Sequence, residues 1–138
     1  MRIFKNKIKV KWTEVDPMYF VRTEVYIDYY RETGSEMMRS FGYSYDRFER
    51  EGFQLPILRV ESNYQKPLRY DEDIVVEATI SKLKKFQIVL NYKVFNSEDV
   101  EVNNGTAIFG VISKETEEPV PMPDELMEGL RRYYVKNN

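Results

Sequence analysis

With 138 residues, 42% of them apolar and 32% charged, the chain is long enough for one domain with a real core and has the composition of an ordinary globular protein. A formal net charge of −2 leaves no overall basic field to draw nucleic acid or a membrane surface, so any anion site must be local. The absence of both cysteine and histidine excludes disulfides, thiolate nucleophiles, zinc–thiolate sites, Ser-His-Asp triads and histidine-ligated metals.

A hydrolase built from this chain must therefore work with carboxylates, hydroxyls, lysines, backbone amides and water. The N-terminal stretch MRIFKNKIKVKW lacks the apolar core of a signal peptide, and no segment approaches the roughly 18 apolar residues of a membrane span. The cytoplasm is the expected compartment. No repeat, low-complexity tract or linker interrupts the chain, so one domain over residues 1–138 is expected, with a loose tail at Val135–Asn138.

Ile8, Val10 and Trp12 alternate with Lys7, Lys9 and Lys11, a period of two that predicts a strand with one buried face. A loop from Thr13 to Phe20 follows, in which Pro17 biases Asp16 toward an extended backbone. The strongest helix comes next. Thr23 is the expected N-cap, and Tyr26, Tyr29, Tyr30, Thr33, Met37, Met38 and Phe41 recur at helical spacing as one apolar stripe. Gly42 suits the C-cap. Gly34, inside the helix, costs up to about 1 kcal/mol relative to Ala and suggests close approach to a sheet.

A short helix is predicted over Tyr45–Glu51. Extended runs follow at Ile57–Gln65, Ile74–Leu83, Phe86–Phe95 and Gly105–Ser113, with turns at Lys66-Pro67 and Asn96–Asp99. Pro121 and Pro123 precede a last helix over Asp124–Tyr134. One long apolar helix with about five strands suggests an α+β protein in which a curved antiparallel sheet wraps the helix. Such a sheet, covered on one face, tends to find a second subunit, and homodimerisation by sheet extension is expected.

The segment Val10-Lys-Trp-Thr-Glu-Val-Asp16-Pro-Met resembles the opening signature of the 4-hydroxybenzoyl-CoA thioesterase-like hot-dog family, and Val25-Tyr-Ile-Asp-Tyr-Tyr30 resembles its helix motif at the matching distance. Tyr64-Gln-Lys-Pro67 through Asp71-Glu-Asp73 resembles the family's strand-turn-strand element, and Lys84-Lys85-Phe86 is similar to its basic hairpin. The resemblance covers nearly all of Ile8–Ser113. The chain departs from the pattern at Tyr19, where the family carries glycine, at Thr23, where histidine is frequent, and at Val25, in place of the helix asparagine.

The resemblance implies a hot-dog fold and an acyl-CoA thioesterase without metal or bound cofactor, assembled as a homodimer or homotetramer. It makes Asp16 the catalytic group, acting as nucleophile or as base on water. It places the polarising backbone amide near Gln54 and Leu55, supplied by the partner subunit or an adjacent loop. Thr23 would touch substrate or water, or else simply cap the helix. Lys84 and Lys85, with Lys82 beside them and Arg59, Lys66 and Arg69 as candidate neighbours, would meet the phosphates of CoA. Tyr19 and Phe20 would narrow the acyl pocket. The competing reading is a non-catalytic hot-dog module that binds acyl-CoA or another small molecule. Hot-dog dehydratases depend on histidine and are set aside. So is nucleic-acid binding, because the 21 basic residues are dispersed among 23 acidic ones.

Overall fold

The computed structural model describes residues 2–136. In chain order the elements are β1 (Phe4–Lys9), α1 (Val25–Ser40), α2 (Tyr45–Arg50), β2 (Phe53–Gln54), β3 (Ile57–Tyr64), β4 (Asp73–Lys84), β5 (Gln87–Phe95), β6 (Glu101–Gly110), β7 (Ile112–Ser113) and α3 (Asp124–Leu130). Five strands form one antiparallel sheet in the order β1-β4-β5-β6-β3, and β2 pairs with β7 in a separate ribbon.

The period-two pattern decides which face is buried. Ile88, Leu90, Tyr92 and Val94 of β5 and Ile74, Val76, Ala78 and Ile80 of β4 all point into the core. Across that face lies α1, whose stripe of Tyr26, Tyr29, Tyr30, Thr33, Met37 and Met38 is buried. The Tyr30 ring stacks on Tyr92 with centroids 4.3 Å apart. Its hydroxyl bonds to Ser62 at 2.9 Å and donates to the buried Asn103 side chain, whose amide in turn donates to Ser62 Oγ and the Asn63 carbonyl, each at 3.0 Å. A buried polar network is tolerable only when its members find partners, and these do. It fastens the first half of α1 to β3 and β6. Gly105 of β6 leaves the room that Tyr30 fills, since a Cβ there would lie 2.6 Å from Tyr30 Cζ and 2.6 Å from the Glu61 carbonyl oxygen.

Helix α1 starts beside Tyr64, whose hydroxyl donates to the Thr23 carbonyl at 2.9 Å, passes Ser62 through Tyr30, and ends near Ile88 and Leu55. It therefore crosses the sheet from one end to the other, which matters for the site.

Several expectations need correcting. The first strand lies upstream of the predicted one, with Lys5, Lys7 and Lys9 as its exposed residues. Val10 leaves the ladder to bond Glu72 and Asp71, and Lys11 and Glu14 close a 3-10 turn over Trp12–Glu14 through their own backbone and the Glu14 carboxylate. Local bonds thus overrule the alternation, and Trp12 ends 59% exposed. Thr23 is not the cap: Glu24 holds that position with no side-chain bond, and Thr23 contributes only its carbonyl to Tyr64. Strand β6 begins at Glu101, ahead of the predicted Gly105, because Asn103 and Asn104 find side-chain partners within the sheet. The last helix gives way to a 3-10 turn over Arg131–Tyr133. Val135 is tied to the Ile80 carbonyl at 2.8 Å, while Asn137 and Asn138 of the expected tail lie outside the described residues. Gly42, at φ +84°, takes the left-handed conformation expected just after the helix. Among the described residues no helix is long and apolar enough to cross a membrane.

Candidate active site

Asp16 organises the loop it sits in. Its Oδ1 accepts the Met18 amide at 2.8 Å and the Phe20 amide at 3.1 Å, and its backbone exchanges bonds with Tyr19 and Phe20. Aspartate before proline suits such a loop, because a short carboxylate can replace backbone partners two residues on. Tyr19 completes the turn at φ +67°. This is the position where the resembled family carries glycine, so the residue differs while the left-handed backbone is of the kind glycine adopts without penalty. A tyrosine there costs on the order of 1–2 kcal/mol.

The loop is held from three sides. Val21 donates to the Leu68 carbonyl at 2.9 Å and Tyr70 to the Tyr19 carbonyl at 3.0 Å, which joins it to the turn between β3 and β4. Arg22 Nη1 donates to the carbonyls of Thr13 at 2.8 Å and Val15 at 3.3 Å, while its Nε pairs with Glu24. Glu14 accepts the Tyr29 hydroxyl at 3.0 Å. Burial first, then the Glu14 charge, pushes the Tyr29 phenol above its ordinary value, and burial pushes Tyr26 up to about 12. Both phenols stay protonated at neutral pH. Asp16 itself is half-buried, and its Oδ2 makes no hydrogen bond or ion pair among the described residues. One carboxylate oxygen holds the loop and the other is available.

The remaining sequence candidates fall into two groups. Tyr19 and Thr23 stay with Asp16. The Tyr19 ring is 54% exposed and leans on Trp12 at 5.6 Å, which meets Tyr70 edge-on at 5.1 Å. Thr23 lines a shallow groove with Tyr64 and Lys66. Gln54, Leu55, Lys84 and Lys85 lie at the other end of the sheet. Gln54 pairs with Ile112, Leu55 leads into the Ile57 end of β3, and exposed Lys84 and Lys85 form the β4–β5 hairpin. The eight residues of β3 span roughly 23 Å and the 12 residues of β4 roughly 36 Å, so the two groups do not meet within one chain.

Of the proposed basic neighbours, Arg59 shares an outward row with Ile108, Val89 and Lys82, but Lys66 and Arg69 sit at the Asp16 end. Asp16, Tyr19, Gln54, Lys84 and Lys85 line none of the four cavities delineated; Leu55 lines an apolar one beneath α1. Among the described residues no group of three His, Cys, Asp or Glu side chains is placed to hold a metal ion. Sequence reasoning missed Arg22 as a strut of the loop; its only signal was proximity to Asp16, which does not reveal that it reaches back to two carbonyls.

Comparison with known proteins agrees with this architecture. YneP of Bacillus subtilis (strain 168), assigned as an acyl-CoA thioesterase, is 26% identical over 120 residues, covering 87% of each chain. A DHNA-CoA thioesterase from Staphylococcus aureus superposes with a TM-score of 0.90 at 21% identity, covering 96% of this chain and 91% of its own. Another Staphylococcus aureus protein, solved in complex with CoA, superposes with a TM-score of 0.86 at 14% identity, covering 96% and 84%. The antiparallel sheet with α1 across its face is the hot-dog fold. The model of the thioesterase-like superfamily matches residues 10–130, and the chain belongs to that superfamily.

Proposed function

We propose that the protein hydrolyses an acyl-CoA thioester to a free acid and CoA at a site assembled from two copies. The observation that carries this reading is the position of Asp16: it is held rigidly by one oxygen, free at the other, and stands at the opposite end of the sheet from the Gln54–Leu55 backbone and the Lys84–Lys85 hairpin. Strand β3 is an edge strand. If two copies pair their β3 edges antiparallel about a two-fold axis, the Tyr64 end of each meets the Ile57 end of the other. Asp16 of one copy then approaches Gln54 and Leu55 of its partner.

In that arrangement Oδ2 either attacks the thioester carbonyl, giving a mixed anhydride that water then opens to the free acid, or takes a proton from an attacking water and passes it to the departing sulfur. In both cases a partner amide stabilises the developing oxyanion and water supplies the thiol proton. The sulfur leaves as the thiol of CoA. Lys84 and Lys85 meet the nucleotide phosphates as point charges. Family membership, the assignment of YneP and the CoA-bound structural neighbour support the substrate class.

Asp16→Asn tests the proposal cleanly. Asparagine keeps an oxygen for the Met18 and Phe20 amides, so the loop holds while the charge is lost. Thiol release from acyl-CoA should fall at least about a hundredfold with little change in melting temperature. Rates equal to the parent protein would remove Asp16 from the chemistry. Tight acyl-CoA binding with no thiol release by the parent protein would select the binding-module reading instead.

A further inference from the structure

The sheet-side surface of α1 is not fully packed. Beneath its second half lies a cavity of about 340 Å3, at the lower end of the range for small-ligand sites. Its walls include Met37 and Met38 of α1, Ile88 and Leu90 of β5, and Leu55. Arg31, Glu32 and Ser35, none of them buried, supply the polar part of the lining.

Gly34 is the unexpected residue in that wall. Glycine inside a helix is unfavourable, and nothing in the packing requires it here. A Cβ at Gly34 would lie 3.7 Å from Leu90 Cδ2 and 3.8 Å from Tyr92 Oη, ordinary van der Waals distances. Gly105 and Gly129, by contrast, have no room for one. The missing side chain at Gly34 therefore leaves space in the cavity rather than relieving a clash. The Tyr92 hydroxyl, behind Gly34 and outside the cavity lining, is buried and has no hydrogen-bond partner.

We propose that this cavity receives the acyl chain, that the substrate is an unbranched aliphatic thioester, and that Gly34 sets how long a chain fits. The proposal rests on the thioester-hydrolysis reading and names its substrate class. Leu55 connects the two, because it lines the cavity and adjoins the backbone proposed to polarise the carbonyl. A carbonyl held there can send its chain inward between helix and sheet. The gap opposite Gly34 is about one methyl group wide, which suits a flexible hydrocarbon chain, and methionine walls adapt to its bends.

The test is thiol release across straight-chain acyl-CoAs of increasing length and benzoyl-CoA, together with calorimetric binding of free decanoate. Each added methylene that becomes buried should raise kcat/KM about fourfold until the cavity is full. Gly34→Ala should lower kcat/KM about fourfold on the longest accepted chain, leave acetyl-CoA unchanged, and raise the melting temperature. A folded Gly34→Leu should end the rise at shorter chains and weaken decanoate binding. A purely structural role for Gly34 would alter stability alone. Hydrolysis with no chain-length dependence, or with benzoyl-CoA preferred and both variants unaffected, overturns the cavity assignment while leaving hydrolysis intact. If no acyl-CoA is cleaved, the hydrolysis reading fails. Decanoate binding that Gly34→Leu weakens would then still uphold the cavity, and no decanoate binding would overturn it.

Discussion

Substituting Gly105 with alanine gives the sharpest test of how α1 is fastened to the sheet. The new Cβ would lie 2.6 Å from the Glu61 carbonyl oxygen and 2.6 Å from Tyr30 Cζ. The first obstacle is backbone of the neighbouring strand and cannot swing aside. The second is a ring clamped between its stack on Tyr92 and its bonds to Ser62 and Asn103. Overpacking of this kind costs about 1–3 kcal/mol. Displacing the ring forfeits two hydrogen bonds, at about 1 kcal/mol each. Replacing glycine within a strand returns about 0.5–1 kcal/mol of chain entropy. The net expectation is a loss of about 2–4 kcal/mol, a large part of the roughly 5–15 kcal/mol that holds a domain folded. Urea unfolding should show the midpoint lowered by about 1–2 M with the slope unchanged. A midpoint within about 0.3 M of the parent protein would show that Tyr30 is not packed as described.

Tyr92→Phe should act in the opposite direction, stabilising the fold by about 1 kcal/mol, because it removes a buried hydroxyl that has no partner; a drop in thermal midpoint would mean that the hydroxyl is satisfied in solution. Acidification gives a further test. Glu51 is held below its ordinary value of 4.5 by the Tyr43 hydroxyl and then Arg47, Glu125 by Arg47, and Glu101 by Asn104 and Gln65. A carboxyl with a depressed folded value contributes its full stability above the unfolded value and loses it as pH falls through the folded one. The thermal midpoint should therefore decline as pH drops below 4.5, and a midpoint that rises there would contradict the assignment.

The fold was legible where one local rule operated. The alternation along β5 and the stripe on α1 each report a single buried face, and both lie where the pattern put them. Trp12 was misread because the alternation runs on past the strand while Glu14 closes a turn with Lys11. The start of β6 was hidden because Asn103 and Asn104 look like loop residues until their partners on β3 are known.

At Asp16 the sequence offered an aspartate-proline loop between strand and helix that resembles a family motif, and the structure holds that loop through the Asp16 carboxylate. The structure places Tyr19 in a backbone conformation that suits glycine, so the loop keeps the glycine-type backbone although tyrosine adopts it at a cost on the order of 1–2 kcal/mol. What sequence could not supply was distance. Nothing in the order of residues shows that Asp16 and Lys84 stand at opposite ends of one sheet. The cavity at Gly34 was equally invisible, since an empty volume is defined by side chains far apart in the chain.

The sheet's two borders are unlike. Along β1 the exposed residues are Lys5, Lys7 and Lys9, of which Lys5 pairs with Glu77 and Lys9 with Asp71 and Asp73, whereas β3 carries exposed Leu58 and Tyr64 with only one basic residue, Arg59. Exposed lysines on an edge strand make it a poor template for another strand, which guards against open-ended growth. A union through β3 uses up the permissive border of each molecule and leaves only charged flanks facing outward. Were the proposed pairing through β3 to form, further ribbon-like growth would have to proceed through the lysine-bearing β1 border of each molecule.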